Sequence, residues 1–217
     1  MKHRREQRTF ALRAVGVVAS LLMVAIAAAA TMPMYRLVAP AILIAVLWGL
    51  YGLRGVVDLN PFRYGLVASA MLLHMLGGFG FYQQSFLPFS YDILVHFYFA
   101  LVLTVALHHA LQANFPALRG PHLAVVTFFF LMGLAALHEI MEYGTYLVLG
   151  EERGMLKPST SYFFDTQRDL TNNLLGTLVG LLLITLYRRW QRRKHLAEHS
   201  YDDRPSEPRA QARGDRP

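Results

Sequence analysis

Cysteine is absent from this 217-residue chain, which removes disulfides, thiolate nucleophiles and cysteine-ligated zinc or iron–sulfur centres. Any metal would have to be held by imidazole and carboxylate. Charge is scarce as well. Asp, Glu, Lys and Arg make up 16% of the residues, against about a quarter in ordinary soluble domains. Long stretches carry none, while both ends are crowded with arginine. No nucleophilic serine motif and no convincing internal repeat is evident. A globular core with a solvated shell is thereby excluded in favour of a polytopic membrane protein. The length suits one bundle, with no room for a second folded domain.

What the chain does have is apolar sequence, 54% of all residues. Runs of about 20 apolar residues are long enough to cross about 30 Å of hydrocarbon as helices. Such runs cover residues 10–30, 37–53, 66–82, 91–112, 122–149 and 170–187. Pro33, Pro61, Pro88, Pro121 and Pro158 fall between them, as helix interiors require. The expected fold class is therefore all-α, a polytopic transmembrane helical bundle of about six spans. Residues 1–9 form a basic cytoplasmic N-terminus, 10–187 the six-span domain, and 188–217 a basic tail without periodicity, expected to be disordered. The first run also has the basic start, apolar stretch and small-residue segment AIAAAAT of a signal peptide. Its length and the spans behind it favour an uncleaved helix.

The formal charge of +7 invites a nucleic-acid reading, but the distribution argues against one. The excess sits in MKHRREQR and YRRWQRRKH, flanking apolar runs, where basic residues fix orientation in a bilayer. Both termini are expected on the cytoplasmic side of a bacterial inner membrane, and membrane lipid is the expected partner. Nothing in the sequence sets the oligomeric state.

Ionisable residues at membrane depth are the informative ones, since each costs about 2.5–3.5 kcal/mol at a helix centre. In YDILVHF, Asp92 and His96 share a helix face by their i,i+4 spacing. In ALHEIMEY, Glu139 and Glu142 are spaced i,i+3 and His138 and Glu142 i,i+4. In FFDTQRDLTNN, Asp165 and Asp169 are i,i+4, followed by Asn172 and Asn173. His74 falls midway along the third run. All these groups except His74 lie toward the extracytoplasmic ends of the last three runs, where they can meet. Two carboxylates within one turn persist when buried only if protonated, paired with a cation or bound to a metal. Imidazole with carboxylates suits zinc, manganese or iron, and carboxylates alone suit magnesium. Blander roles compete: Asp92 and Asp165 as helix N-caps or dipole partners, Asp169 as an arginine partner, His74 and His138 as interhelical hydrogen-bonders, His108 and His109 as interfacial residues. Glu139 and Glu142 lie too deep for capping or snorkelling.

The succession DxxxHF, ExxEY and DTQxD resembles the YjdF-type family of bacterial inner-membrane proteins, with a looser similarity to VanZ-like proteins. The matching positions are Asp92, His96 and Phe97; Glu139, Glu142 and Tyr143; and Asp165, Thr166, Gln167, Asp169 and Gly176. The resemblance implies a multi-span helical protein with a shared polar cluster, and supplies no activity. Two readings of function follow from the residues. One is a metal-assisted hydrolase or transferase on a lipid or lipid-linked substrate. There Glu139, Glu142 and Asp169 carry the catalysis; His96, Glu139, Glu142 and Asp165 hold the metal; Asp92, His138 and Asn172 are further candidates. The other is a non-enzymatic protein for ion or proton coupling, or for lipid or antibiotic binding, using the same groups.

Overall fold

The computed structural model describes residues 2–83, 90–150 and 162–202. Six α-helices follow in chain order: α1 Lys2–Ala29, α2 Pro33–Gly52, α3 Pro61–Leu76, α4 Tyr91–Asn114, α5 Gly120–Leu149 and α6 Tyr162–Asp202. Among the described residues there is no strand. All the helices except α3 are long and apolar enough to cross a membrane. Phe129, Leu137 and Ile140 on α5 are among the large apolar side chains left exposed, a surface suited to lipid rather than water.

Helix α3 departs from the run read in the sequence. It starts at Pro61, where the Asn60 side chain accepts a 2.8 Å bond from the Arg63 amide and proline presets the first turn. It stops at Leu76 because Gly77 and Gly78 turn the chain into two short 3-10 segments, Gly77–Phe79 and Phe81–Gln83. Gly80 joins them at φ 86°, a left-handed conformation that glycine adopts without penalty. At 16 residues the helix rises about 24 Å, less than the hydrocarbon thickness. A short helix is tolerated here because protein, not lipid, surrounds it. Tyr64, Val67, Ala70, Met71 and Met75 are all buried, and α3 packs on α1, α2 and α4.

Helix α1 is part of this core. Leu12, Ala19, Met23 and Ala27 are buried on its contacts with α2 and α3. A Cβ at Gly16 would lie 3.0 Å from the Tyr64 hydroxyl, and that hydroxyl donates to the Leu47 carbonyl at 2.9 Å. One turn before α2, the Gly78 carbonyl accepts from the Thr31 and Met32 amides at 3.0 and 3.3 Å. It also accepts from the Thr31 hydroxyl at 3.1 Å. At the opposite end, Asp58 accepts from Arg8 at 3.0 Å and from Arg63 at 3.2 Å.

Three of the prolines placed between runs, Pro33, Pro61 and Pro121, sit in the first helical turns instead, where the missing N–H is harmless. Pro88 and Pro158 lie outside the described residues. Pro40 stands inside α2, where it has no N–H to give to the helical ladder.

The chain divides into two compact units, residues 1–182 and 183–217. All that follows concerns the first. In the second, α6 runs on to Asp202, past the boundary placed at 187 and into the expected disordered tail, through a stretch rich in the good helix formers arginine, glutamine and lysine. Residues 203–217 lie outside the described residues.

A buried carboxylate and histidine cluster at one end of the bundle

Helices α2, α4 and α6 begin, and α3 and α5 end, at the same end of the first unit. Ring contacts show it: Tyr35 on α2 lies 5.4 Å from His74 on α3, and His96 on α4 lies 5.8 Å from His138 on α5. Helix α6 reaches α4 through Arg168, whose Nη2 donates to Asp92 Oδ2 at 2.5 Å. Close approach of α6 to α4 is possible because Gly176 faces the Phe97 carbonyl and Gly180 faces Thr104, a small-xxx-small seam of the kind that draws membrane helices together.

The expected i,i+4 faces are present and converge. His96 Nε2 is 3.6 Å from both Asp92 Oδ1 and Asp169 Oδ2. Its Nδ1 lies 3.3 Å from the Asn173 side-chain amide, and that contact sets the tautomer. An amide nitrogen there makes Nδ1 the acceptor and puts the proton on Nε2, facing the aspartates. An amide oxygen there reverses it and frees Nε2 as a ligand. On α5, His138 Nε2 is 3.2 Å from Glu142 Oε1.

Three overlapping triplets bring donor atoms within 4.8 Å of one another: His96, His138 and Glu142; Asp92, His96 and Asp169; Glu139, Glu142 and Asp169. Glu139, only 5% exposed, has both oxygens buried without a partner in hydrogen-bonding geometry among the described residues, although Thr166 is close enough to influence its carboxyl. The Asn172 side-chain nitrogen is likewise buried and unpartnered among the described residues.

Asp165 behaves differently from the sequence expectation. Its Oδ1 is taken by Arg168, three residues along the same helix face, and it joins none of the triplets. Arg168 also reaches Asp169 Oδ1 at 3.4 Å, so one guanidinium gathers three aspartates from two helices. Asp92 pairs with Arg168 from the first turn of α4, where a carboxylate also suits the helix dipole; the N-cap itself is Ser90.

Other residues come in that sequence reasoning did not place here. His74 sits in the last turn of α3, not midway along a span, because the helix stops at the glycines. Its Nδ1 lies 2.8 Å from the Tyr82 hydroxyl. A Cβ at Gly77 would fall 1.8 Å from the Tyr82 ring, so only glycine lets that tyrosine fold back over the site. Tyr35, Tyr82 and His74 line the wall opposite the carboxylates in a cavity of about 360 Å³. His108, expected at an interface, is buried and lies 3.2 Å from the Thr127 hydroxyl.

No curated protein and no solved structure matches this chain. Residues 7–190 match the model of a family described as "Predicted membrane protein (DUF2238)". This agrees with the YjdF-type resemblance carried by the three motifs; the match does not extend to the VanZ-like proteins. With 184 of its 217 residues inside that match, the chain belongs to this family of predicted membrane proteins.

Proposed function

We propose that the cluster binds a divalent cation and that the protein is a hydrolase or transferase acting on a lipid or lipid-linked substrate. It would work from the outer side of a bacterial cytoplasmic membrane, with both termini inside. The observation that carries this reading is an imbalance of charge. Five carboxylates, Asp92, Glu139, Glu142, Asp165 and Asp169, are buried together, and among the described residues the guanidinium that pairs with three of them is that of Arg168. Burying that many carboxylates together is strongly unfavourable unless protons, basic side chains or a bound cation compensate them. Two imidazoles within reach of the same carboxylates favour a cation.

His96, His138 and Glu142 offer two nitrogens and one carboxylate, the donor set of hydrolytic zinc sites and, with open positions, of non-haem iron sites. Imidazole nitrogens make magnesium the weaker fit. Bound there, the ion would act as a Lewis acid and ease deprotonation of an attacking water. Asp169, common to two triplets, would complete the ligand set in the place expected of Asp165. Glu139 would serve as general base, its buried carboxylate held within reach of the ligands Glu142 and Asp169. Arg168 would hold the three aspartates in position.

Metal analysis of protein purified without chelators tests this. Wild type is expected to carry near-stoichiometric zinc, manganese or iron. His96→Ala and Glu142→Gln are each expected to lower the metal content by at least about tenfold, the loss typical of even outer-shell changes at metal sites. Metal-free wild type would overturn the reading, leaving the carboxylates to titrate in ion or proton coupling.

A further inference from the structure

The cavity beside the cluster changes character along its length. On α4 its lining passes from Asp92 and His96 to Phe99 and Leu103, and on α5 from Glu142 and His138 to Ala135 and Leu131. Tyr35 on α2 is followed by Ile42 and Val46. Seven residues separate His96 from Leu103 and eleven separate Tyr35 from Val46, so the apolar part runs about 10–16 Å into the bundle. That lies well inside the hydrocarbon thickness of about 30 Å. Its volume, about 360 Å³, falls in the range of about 300–1,000 Å³ typical of ligand sites.

The cavity also opens sideways. Ile42 and Val46 on α2 line it while remaining 46% exposed, and Leu134 and Met141 on α5 do so at 42% and 56%. Both helices thus give the lining side chains that are also exposed at bilayer depth, so the cavity opens to the surroundings of the bundle between them. A polar solute would leave the deep apolar wall uncovered. A hydrocarbon chain already in the leaflet would cover it and lose no hydration in doing so.

We infer that the gap between α2 and α5 is a lateral entry for a membrane lipid, whose hydrocarbon chain lies along Ile42, Val46, Leu103 and Leu134 while its polar head meets the carboxylate and histidine cluster. This rests on the proposed function, because it names the substrate class of the same site. The shared chemistry is a long alkyl chain, supplied by a glycerophospholipid or an isoprenoid lipid phosphate. A head that carries phosphate or an ester oxygen would approach the carboxylates through a cation held there.

The test uses the full chain in nanodiscs, with phosphatidylglycerol bearing a photoactivatable diazirine in one acyl chain and, in a second arm, a diazirine isoprenyl phosphate. Wild type is expected to be labelled in the α2 and α4 peptides containing Val46 and Leu103 by at least one probe, and the stronger arm identifies the chain type. Val46→Trp and Leu134→Trp place bulk at partly exposed positions, where the fold has room for it. Each is expected to cut that labelling by at least about tenfold, the effect of excluding two or more methylenes from the slot. Metal content and melting temperature should stay at the wild-type level. Phe129→Trp, on the exposed face of α5 outside the cavity, should change nothing. Labelling spread evenly over exposed helix faces and indifferent to both tryptophans would overturn the inference, showing surrounding lipid only. Metal-free protein that still labels in the slot would overturn the metal reading and leave the lipid slot standing.

Discussion

Replacing Arg168 by glutamine is expected to destabilise the protein by about 3–5 kcal/mol, the usual consequence of removing one partner from a buried ion pair. Asp92, Asp165 and Asp169 would each keep a buried carboxylate and lose the guanidinium that now pairs with it. The Arg168 side chain is 33% exposed, which admits some water to the pair and places the effect toward the lower end of that range. The loss should appear as a fall in melting temperature in detergent. It should be partly recovered when Asp165→Asn is added, because the neutral amide needs no counter-ion. A coupling of about 0.5–3 kcal/mol between the two substitutions is the signature of side chains sharing one network. Strict additivity would mean that Arg168 faces solvent and contributes little.

Gly176→Ala is expected to be nearly as damaging for a purely steric reason. The added Cβ would lie 2.2 Å from the Phe97 carbonyl oxygen and 3.0 Å from the Ala100 Cβ. The first of these is backbone and has no rotamer by which to move aside. Helices α4 and α6 must separate, at about 1–3 kcal/mol or more for an overpacked interface. The separation also draws Asp92 and His96 away from Arg168 and Asp169. Melting temperature and metal content should therefore fall together. Gly144→Ala is the matched control, since a Cβ there meets nothing within 4 Å. It should be neutral or raise stability by about 0.5–1 kcal/mol, through the ordinary preference of a helix for alanine over glycine. Equal effects of the two substitutions would remove the case for a tight α4–α6 seam.

These two residues also mark the limit of what the sequence discloses. Within one helix, periodicity suffices: Asp92 with His96, His138 with Glu142, and Asp165 with Asp169 share faces by spacing alone, and each pair does so here. Hydropathy likewise locates the helices, because lipid leaves the chain few other ways to satisfy its backbone. Pairing between helices is another matter. Arg168 and Asp165 pair by i,i+3 spacing on one helix, but that Arg168 also reaches Asp92 on α4 depends on which faces meet. No local rule states that. The third helix is shorter than its apolar run because Gly77 and Gly78 sit within that run and leave the hydropathy high while ending the helix. Tyr35 and Tyr82 escaped notice because an aromatic ring at membrane depth carries none of the cost that makes a carboxylate conspicuous.

The Gly78 carbonyl, with three donors converging on it from Thr31 and Met32, has a consequence for exchange with solvent. The bend between α1 and α2 is only a few residues long and would ordinarily exchange its amide protons within moments of transfer to heavy water. Here the Thr31 and Met32 amides are anchored to the segment that follows α3, so releasing them means detaching two parts of the chain at once. Deuterium uptake at these two positions is therefore expected to follow that of the buried face of α3, not that of a connecting loop. The hinge region beneath Tyr35 would then behave as a fixed floor to the site. Rapid uptake there would instead mean that the floor opens independently of the helices it joins.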